Sequence, residues 1–103
     1  MTMGIKVFKL ISGEELIADV FNNYDQFFEL KTAATIMIQQ TEKGLGVALM
    51  PYMPYSKGNI KLYKQSIASE SEPDLNMSNE FNRLYGSGLV TAPASALASL
   101  GIK

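Results

Sequence analysis

The sequence predicts a small, mainly β domain, built on a strongly bent five-stranded antiparallel sheet that forms a small barrel, with a short C-terminal helix. Two observations support this fold class. Up to residue 67, β-branched and aromatic residues occur in short runs separated by glycine and polar turns. After residue 70 the chain becomes polar, and large apolar residues then recur at helical spacing. The 103 residues, 47% of them hydrophobic, are enough for one core.

The first three strands are expected at residues 5–11, 15–21 and 27–40. Ser12 and Gly13 form a tight connection between the first two, where glycine can adopt the positive φ that a hairpin requires. In the second strand Leu16, Ala18 and Val20 share one face by the two-residue period, which predicts the core side of the sheet. The third strand is long enough to curve, and the small pair at residues 33–34 is the expected position.

Two further strands are expected at residues 47–51 and 60–67, each after a glycine-containing turn. The segment between them, residues 51–55, reads Pro-Tyr-Met-Pro-Tyr. Its prolines exclude a central strand, whereas its three large apolar side chains predict a packing partner, such as another subunit.

The chain divides into three predicted parts: the barrel at residues 1–70, a short amphipathic helix at 71–86 and a tail at 87–103. The helix is indicated by apolar residues at helical spacing that stop at a glycine, and these are Met77, Phe81, Leu84, Tyr85 and Gly86. The tail consists mainly of small residues and is expected to be flexible.

Composition argues against several classes of function. The chain has no cysteine and no histidine, so the usual ligands for zinc, copper and iron and the common catalytic triads are missing, although a carboxylate site for magnesium stays open. Glu15 and Asp19 share a strand face but lie roughly 13 Å apart, too far for an acid and base pair. We therefore expect no enzyme and no cofactor.

The net charge of the chain is −1, so any contact with nucleic acid must be local. No signal sequence or membrane-spanning segment is evident, so we expect the protein in the cytoplasm.

Residues 24–27 (Tyr-Asp-Gln-Phe) and 63–67 (Tyr-Lys-Gln-Ser-Ile), together with the strand order, resemble the two signature segments of Sm-like (LSm) proteins, above all the bacterial host-factor branch, Hfq. In that branch the second segment reads Tyr-Lys-His, so Gln65 stands in the position of the histidine. Glu29 likewise replaces the usual asparagine. The whole chain also looks like small Sm-like proteins encoded by marine cyanobacterial phages, which implies the host cell cytoplasm.

The resemblance implies a homo-oligomeric ring that binds single-stranded nucleic acid weakly, RNA more readily than DNA. Phe27 would stack on a base, Lys64 would contact phosphate and Gln65 would bond a base edge, and Tyr63 would belong to the same site around the pore. Gly13 and Asp25 would have structural roles in turns. Ring closure also follows from the sheet itself, because an open sheet leaves two edges that invite another strand.

Other interpretations stay open. Phe27 and Phe28 point to opposite faces of a strand, so either could belong to the core, and residues 64–65 could be a solvated strand end. Glu29 shares the face of Phe27 and would repel phosphate unless Lys31 or Lys64 neutralises it. The alternative function is a non-enzymatic scaffold whose protein partners meet Tyr52, Met53 and Tyr55 or the helix at residues 77–85.

Overall fold

Six antiparallel strands and one helix make up residues 4–86, the part of the chain that this computed structural model describes. The expected tail at residues 87–103 lies outside the described residues. The elements are β1 (Gly4–Leu10), β2 (Glu15–Asn23), β3 (Phe27–Thr41), β4 (Gly44–Pro51), β5 (Ile60–Tyr63), a 3-10 turn (Lys64–Ser66), β6 (Ile67–Ser71) and α1 (Leu75–Tyr85). The predicted mainly β class and the short C-terminal helix are confirmed.

The strands form one sheet in the order β4-β3-β2-β1-β6, and every pairing is antiparallel. The long strand β3 has two partners on the same side: β5 pairs with its first four residues and β4 with residues 34–41. Within residues 4–86, β6 pairs with neither β4 nor β5, so strand pairing does not close the sheet on itself.

The expected single strand at residues 60–67 is divided in the structure by the 3-10 turn. The division has a backbone cause, because the chain changes its pairing partner there from β3 to β1. The amide of Lys64 donates to the carbonyl of Gln26 at 2.9 Å, and the carbonyl of Ser66 accepts from the amide of Ile11 at 2.8 Å. The 3-10 turn therefore forms hydrogen bonds with the β1–β2 loop and the β2–β3 loop at the point where the chain changes its pairing partner.

The hydrophobic core covers one face of the sheet. As the alternation in β2 predicts, Leu16, Ala18 and Val20 are at most 1% exposed and belong to it. The rest of the core cluster comes from the other strands: Phe8, Leu10, Phe28, Leu30, Ala33 and Leu62. Ile17 and Asp19, which point to the opposite face, are buried as well. Strand β2 is thus covered on both faces, which alternation alone does not predict.

The outer halves of β3 and β4 form a two-stranded ribbon. The pairing of β2 with β3 ends where Leu16 meets Thr35, and the later residues of β3 pair only with β4. Large apolar side chains on both faces of this ribbon are 42–75% exposed, and they are Met37, Ile38, Leu45, Val47 and Met50. We call these five residues the apolar ribbon.

Helix α1 begins with a side-chain cap. The carboxylate of Asp74 accepts a hydrogen bond from the amide of Met77 at 2.8 Å, which satisfies one of the amides that a helix start leaves unpaired. The helix ends at Tyr85, one residue before Gly86, where a Cβ would lie 2.8 Å from the carbonyl oxygen of Asn82. In the described part of the chain, no helix is long and apolar enough to cross a membrane.

Candidate nucleic-acid interface

The two segments that resemble the Sm-like signature lie against each other in the structure. The amide of Lys64 reaches the carbonyl of Gln26, and the side chain of Lys64 donates from Nζ to Oδ1 of Asn23 at 2.6 Å. The first segment closes its own turn, because the amide of Tyr24 donates to the carbonyl of Phe27 at 2.9 Å. Asn23 and Lys64 are 41 positions apart in the chain, so the sheet register brings these segments together.

Three aromatic rings are in contact at this junction. Phe27 faces Tyr63 directly across the β3–β5 pairing, and their ring centroids are 5.5 Å apart. Tyr24 also packs against Phe27, and the centroids of these two rings are 5.0 Å apart. We call Tyr24, Phe27 and Tyr63 the aromatic platform. Tyr24 and Tyr63 are 44% and 48% exposed, whereas Phe27 is half-buried between them.

The platform lies on the face of β3 and β5 opposite the core. Phe28 and Leu62, the next register pair, are both buried in the core cluster. The alternation of Phe27 and Phe28 therefore separates the two interpretations left open by the sequence: Phe28 is the core residue, and Phe27 belongs to the outer face.

Two lysines add positive charge. Lys61 Nζ lies 5.3 Å from the ring centroid of Phe27, and Lys64 Nζ lies 4.8 Å from that of Phe28. Both distances are within the range of a cation–π interaction. Because the two rings are on opposite faces, the two ammonium groups approach the junction from different sides.

Glu29 lies on the platform face, as the two-residue period predicts, and its register partner is Lys61. Its carboxylate accepts hydrogen bonds from the Tyr24 hydroxyl at 3.4 Å and from Nδ2 of Asn59 at 2.9 Å. The three ion pairs found in residues 4–86 do not include Glu29, so neither Lys31 nor Lys64 forms a salt bridge with it. Two neutral donors bond the carboxylate instead, and Lys61 faces Glu29 in the strand register without forming an ion pair with it.

The remaining predicted residues are at turns. Gln65 is exposed in the 3-10 turn. The side chain of Asp25 is exposed and accepts from Nε2 of Gln26 at 3.2 Å. Gly13 has a φ of +100° in the loop between β1 and β2, where the amide of Leu10 donates to the carbonyl of Glu14.

A groove of about 340 Å³ borders the platform. Tyr63 belongs to both features, and Lys61, whose Nζ lies beside the Phe27 ring, also lines the groove. The other lining residues are Leu10, Ile11, Ser12, Glu14, Tyr52, Leu62 and Ser66. Burial, with a smaller effect from the Glu14 carboxylate, raises the pKa of the Tyr52 phenol.

The acidic residues of β2 do not form a metal or catalytic cluster. Glu15 pairs with Lys9 at 3.5 Å, while Asp19 is only 4% exposed. Burial raises the pKa of the Asp19 carboxyl, and the positive charge of Lys31 lowers it by a smaller amount. Across residues 4–86, no three acidic side chains are grouped so that they could hold a metal ion.

Two residues of the candidate site, Tyr24 and Lys61, were not among the predicted site residues. Tyr24 is three residues before Phe27, a spacing that could have indicated it, whereas the position of Lys61 depends on the register of β5 against β3. The assembled site has exposed aromatic faces, the ammonium group of Lys61 and one carboxylate on the outer face, and the ammonium group of Lys64 approaches from the other side. Neither the protein-family models nor the curated proteins give a match to this chain.

Proposed function

We propose that this protein is an Sm-like protein whose copies form a ring and bind single-stranded nucleic acid, RNA in preference to DNA. The observation that carries the proposal is the packing of Tyr63 against Phe27 in direct register, with lysine ammonium groups beside the junction. Exposed aromatic rings next to cations are the elements with which proteins bind single strands without base pairing.

The strand arrangement supports the Sm-like part of the proposal. The pairing of β2 with β3 shifts register on either side of Val20, and such bulges bend antiparallel strands, as a small bent barrel requires. Strand β5 pairs with β3, and β6, which follows the 3-10 turn, pairs with β1. Residues 63–67 therefore lie where these two parts of the sheet approach each other. The bulges and this strand order support the strongly bent barrel that we propose.

Two features support self-association. Among the described strands, β4 and β6 each pair on one side only, and such edges accept a strand from another copy. The apolar ribbon has exposed hydrophobic side chains on both faces, and a two-stranded ribbon is marginally stable on its own. Head-to-tail pairing of β4 with β6 of the next copy would stabilise both and would close a ring if the rotation permits.

In the proposed complex, bases stack on the exposed rings of Tyr24 and Tyr63, and each stack contributes about 1 to 3 kcal/mol. Phe27, half-buried below Lys61, orients these rings and adds contact area. The Lys64 ammonium group donates one of its three hydrogens to Asn23, which leaves two for hydrogen bonds to phosphate. Gln65 is exposed and would form a hydrogen bond with a base edge. Repetition of a weak site around a ring produces avidity.

The test is a fluorescence-anisotropy titration of labelled oligo-U, oligo-A and single-stranded DNA at low and moderate salt. Tyr63→Ala and Lys64→Ala are the site variants. Their matched controls are Tyr55→Ala, which removes a tyrosine that is 98% exposed, and Lys43→Ala, which removes an exposed lysine from the β3–β4 turn.

We expect salt-sensitive binding that falls at least about fivefold in Tyr63→Ala, since the weakest stack is worth about 1 kcal/mol. In Lys64→Ala binding should weaken and become less salt-dependent, because a phosphate contact is lost. The controls should bind like the wild-type protein. Absence of binding at low salt, or equal losses in site variants and controls, would refute the proposal.

A second candidate is an oligomeric scaffold with protein partners, which is favoured by the exposure of Met53 and Tyr55 in the segment between β4 and β5. This function requires that the apolar surface stays accessible in the assembled protein. Fluorescence of a hydrophobic dye with the oligomer would measure that surface. A strong signal that Met53→Ser and Tyr55→Ser reduce, together with no oligonucleotide binding, would favour the scaffold.

A further inference from the structure

We propose that Glu29 reads the edge of a stacked base and gives the site a preference for guanine. The inference rests on the nucleic-acid function proposed above and adds a base specificity to it. Its basis is the position of a carboxylate beside the aromatic platform, held there by neutral hydrogen-bond donors.

The carboxylate lies at the rim of the platform. Glu29 is two residues after Phe27 on the same strand face, and its Oε1 is 3.4 Å from the hydroxyl oxygen of Tyr24. A base that stacks on the ring of Tyr24 and extends past the hydroxyl would bring its edge to this carboxylate. Glu29 is half-buried, so a hydrogen bond formed there is partly protected from water.

A chain of hydrogen bonds orients the carboxylate, and the shorter of the two bonds to it comes from Asn59. Nδ2 of Asn22 donates to the Tyr24 hydroxyl at 3.1 Å, the hydroxyl donates to Glu29 Oε1, and Nδ2 of Asn59 donates to Oε2 at 2.9 Å. A carboxylate offers about four acceptor positions, so about two remain for a ligand. Each oxygen keeps one, which is the pattern that two parallel donors fit.

Guanine is the base whose Watson–Crick edge has two adjacent donors, N1–H and the N2 amino group. Adenine and cytosine present one amino donor beside a ring-nitrogen acceptor, and uracil presents one N–H between two carbonyl oxygens. A carboxylate can therefore form two hydrogen bonds with guanine, whereas it meets acceptor lone pairs on the other bases. Lys61, the register partner of Glu29, offsets the repulsion between the carboxylate and nearby phosphates.

A purely structural role would be different. Glu29 could serve only to hold Asn59 and Tyr24, in which case its replacement would change stability and affinity for every base alike. Inosine separates the two roles, because it lacks only the N2 amino group of guanosine. Loss of one bond to a charged acceptor predicts that guanosine binds about tenfold more tightly than inosine.

The experiment compares labelled RNA strands in which uridine alternates with guanosine, inosine or adenosine, with oligo-U as the reference, in lithium buffer to prevent guanine quadruplexes. The proteins are the full chain, Glu29→Gln and the control Glu42→Gln, which removes the same charge from the β3–β4 turn. Thermal melts establish that each variant folds.

For the wild-type protein and Glu42→Gln we expect the tenfold preference for guanosine over inosine. In Glu29→Gln that ratio should fall to about one, and oligo-U should bind more tightly because the amide donates to a uracil carbonyl. Equal binding of guanosine and inosine strands by the wild-type protein would overturn the inference even if the variant fails to fold. So would an unchanged ratio in Glu29→Gln. Failure of every strand to bind would instead refute the proposed function.

Discussion

Lys64→Ala should destabilise the fold by about 2 kcal/mol, because the side chain links the 3-10 turn to the end of β2 and the start of β3. Its Nζ donates to Asn23 Oδ1 at 2.6 Å and lies 4.8 Å from the ring centroid of Phe28. For a half-buried lysine, the charged hydrogen bond contributes about 1.5 kcal/mol and the cation–π contact about 0.5 kcal/mol. For a domain of this size the sum corresponds to a fall in Tm of about 8–16 °C.

Urea denaturation followed by far-UV circular dichroism measures this loss. Lys43→Ala is the matched control and should stay within about 0.5 kcal/mol of the wild-type protein. A double-mutant cycle with Asn23→Ala isolates the hydrogen bond, for which we expect a coupling of about 1 kcal/mol. If Lys64→Ala is as stable as Lys43→Ala, or if the two losses in the cycle simply add, the structural role assigned to Lys64 is wrong.

Three more predictions concern other parts of the structure. Because burial raises the pKa of Asp19 from 3.8, the folded state favours its protonated form, and its contribution to stability is lost as pH rises from about 3.8 through the raised value. Asp19→Asn should therefore be more stable than the wild-type protein at neutral pH and should lack this slope in urea titrations. Leu62→Ala, which truncates a side chain 4% exposed in the core, should cost about 2 to 5 kcal/mol by urea denaturation. Asp74→Ala removes the cap bond to Met77 and should weaken hydrogen-exchange protection in α1 by about 1 kcal/mol.

Each of these predictions has a control and an outcome that contradicts it. Asp25→Asn removes an exposed carboxylate, so the pH slope should persist in that variant, and an unchanged slope in Asp19→Asn would show that Asp19 is not its source. A loss below about 1 kcal/mol for Leu62→Ala would contradict its position in the core. Equal protection of α1 in Asp74→Ala and the wild-type protein would show that the cap is not needed.

The elements of the sheet could be predicted because local signals determine them. Alternation identified Leu16, Ala18 and Val20 as core residues, and helical spacing followed by Gly86 identified α1. The break at residues 64–66 had no such signal, since Lys-Gln-Ser contains neither glycine nor proline. The cause of the break is tertiary, because the amide of Lys64 bonds the carbonyl of a distant turn.

The candidate site could be predicted only in part for the same reason. Tyr63 and Lys64 were identified by their resemblance to a motif, which carries order along the chain but not register between strands. The approach of Lys61 to Phe27 and the bond between Asn59 and Glu29 both depend on β5 pairing with the start of β3. A shift of one residue would reverse which side chains face outward.

The most direct test of the central claim is ultraviolet crosslinking of short single-stranded RNA to the full chain, with the modified residues mapped by mass spectrometry. We predict crosslinks to Tyr24 and Tyr63, the exposed rings of the aromatic platform, which disappear when unlabelled RNA competes. The chain has five tyrosines, so the others are internal controls within the same sample. Crosslinks confined to Tyr52 and Tyr55, or none above background, would contradict the claim that the platform binds nucleic acid.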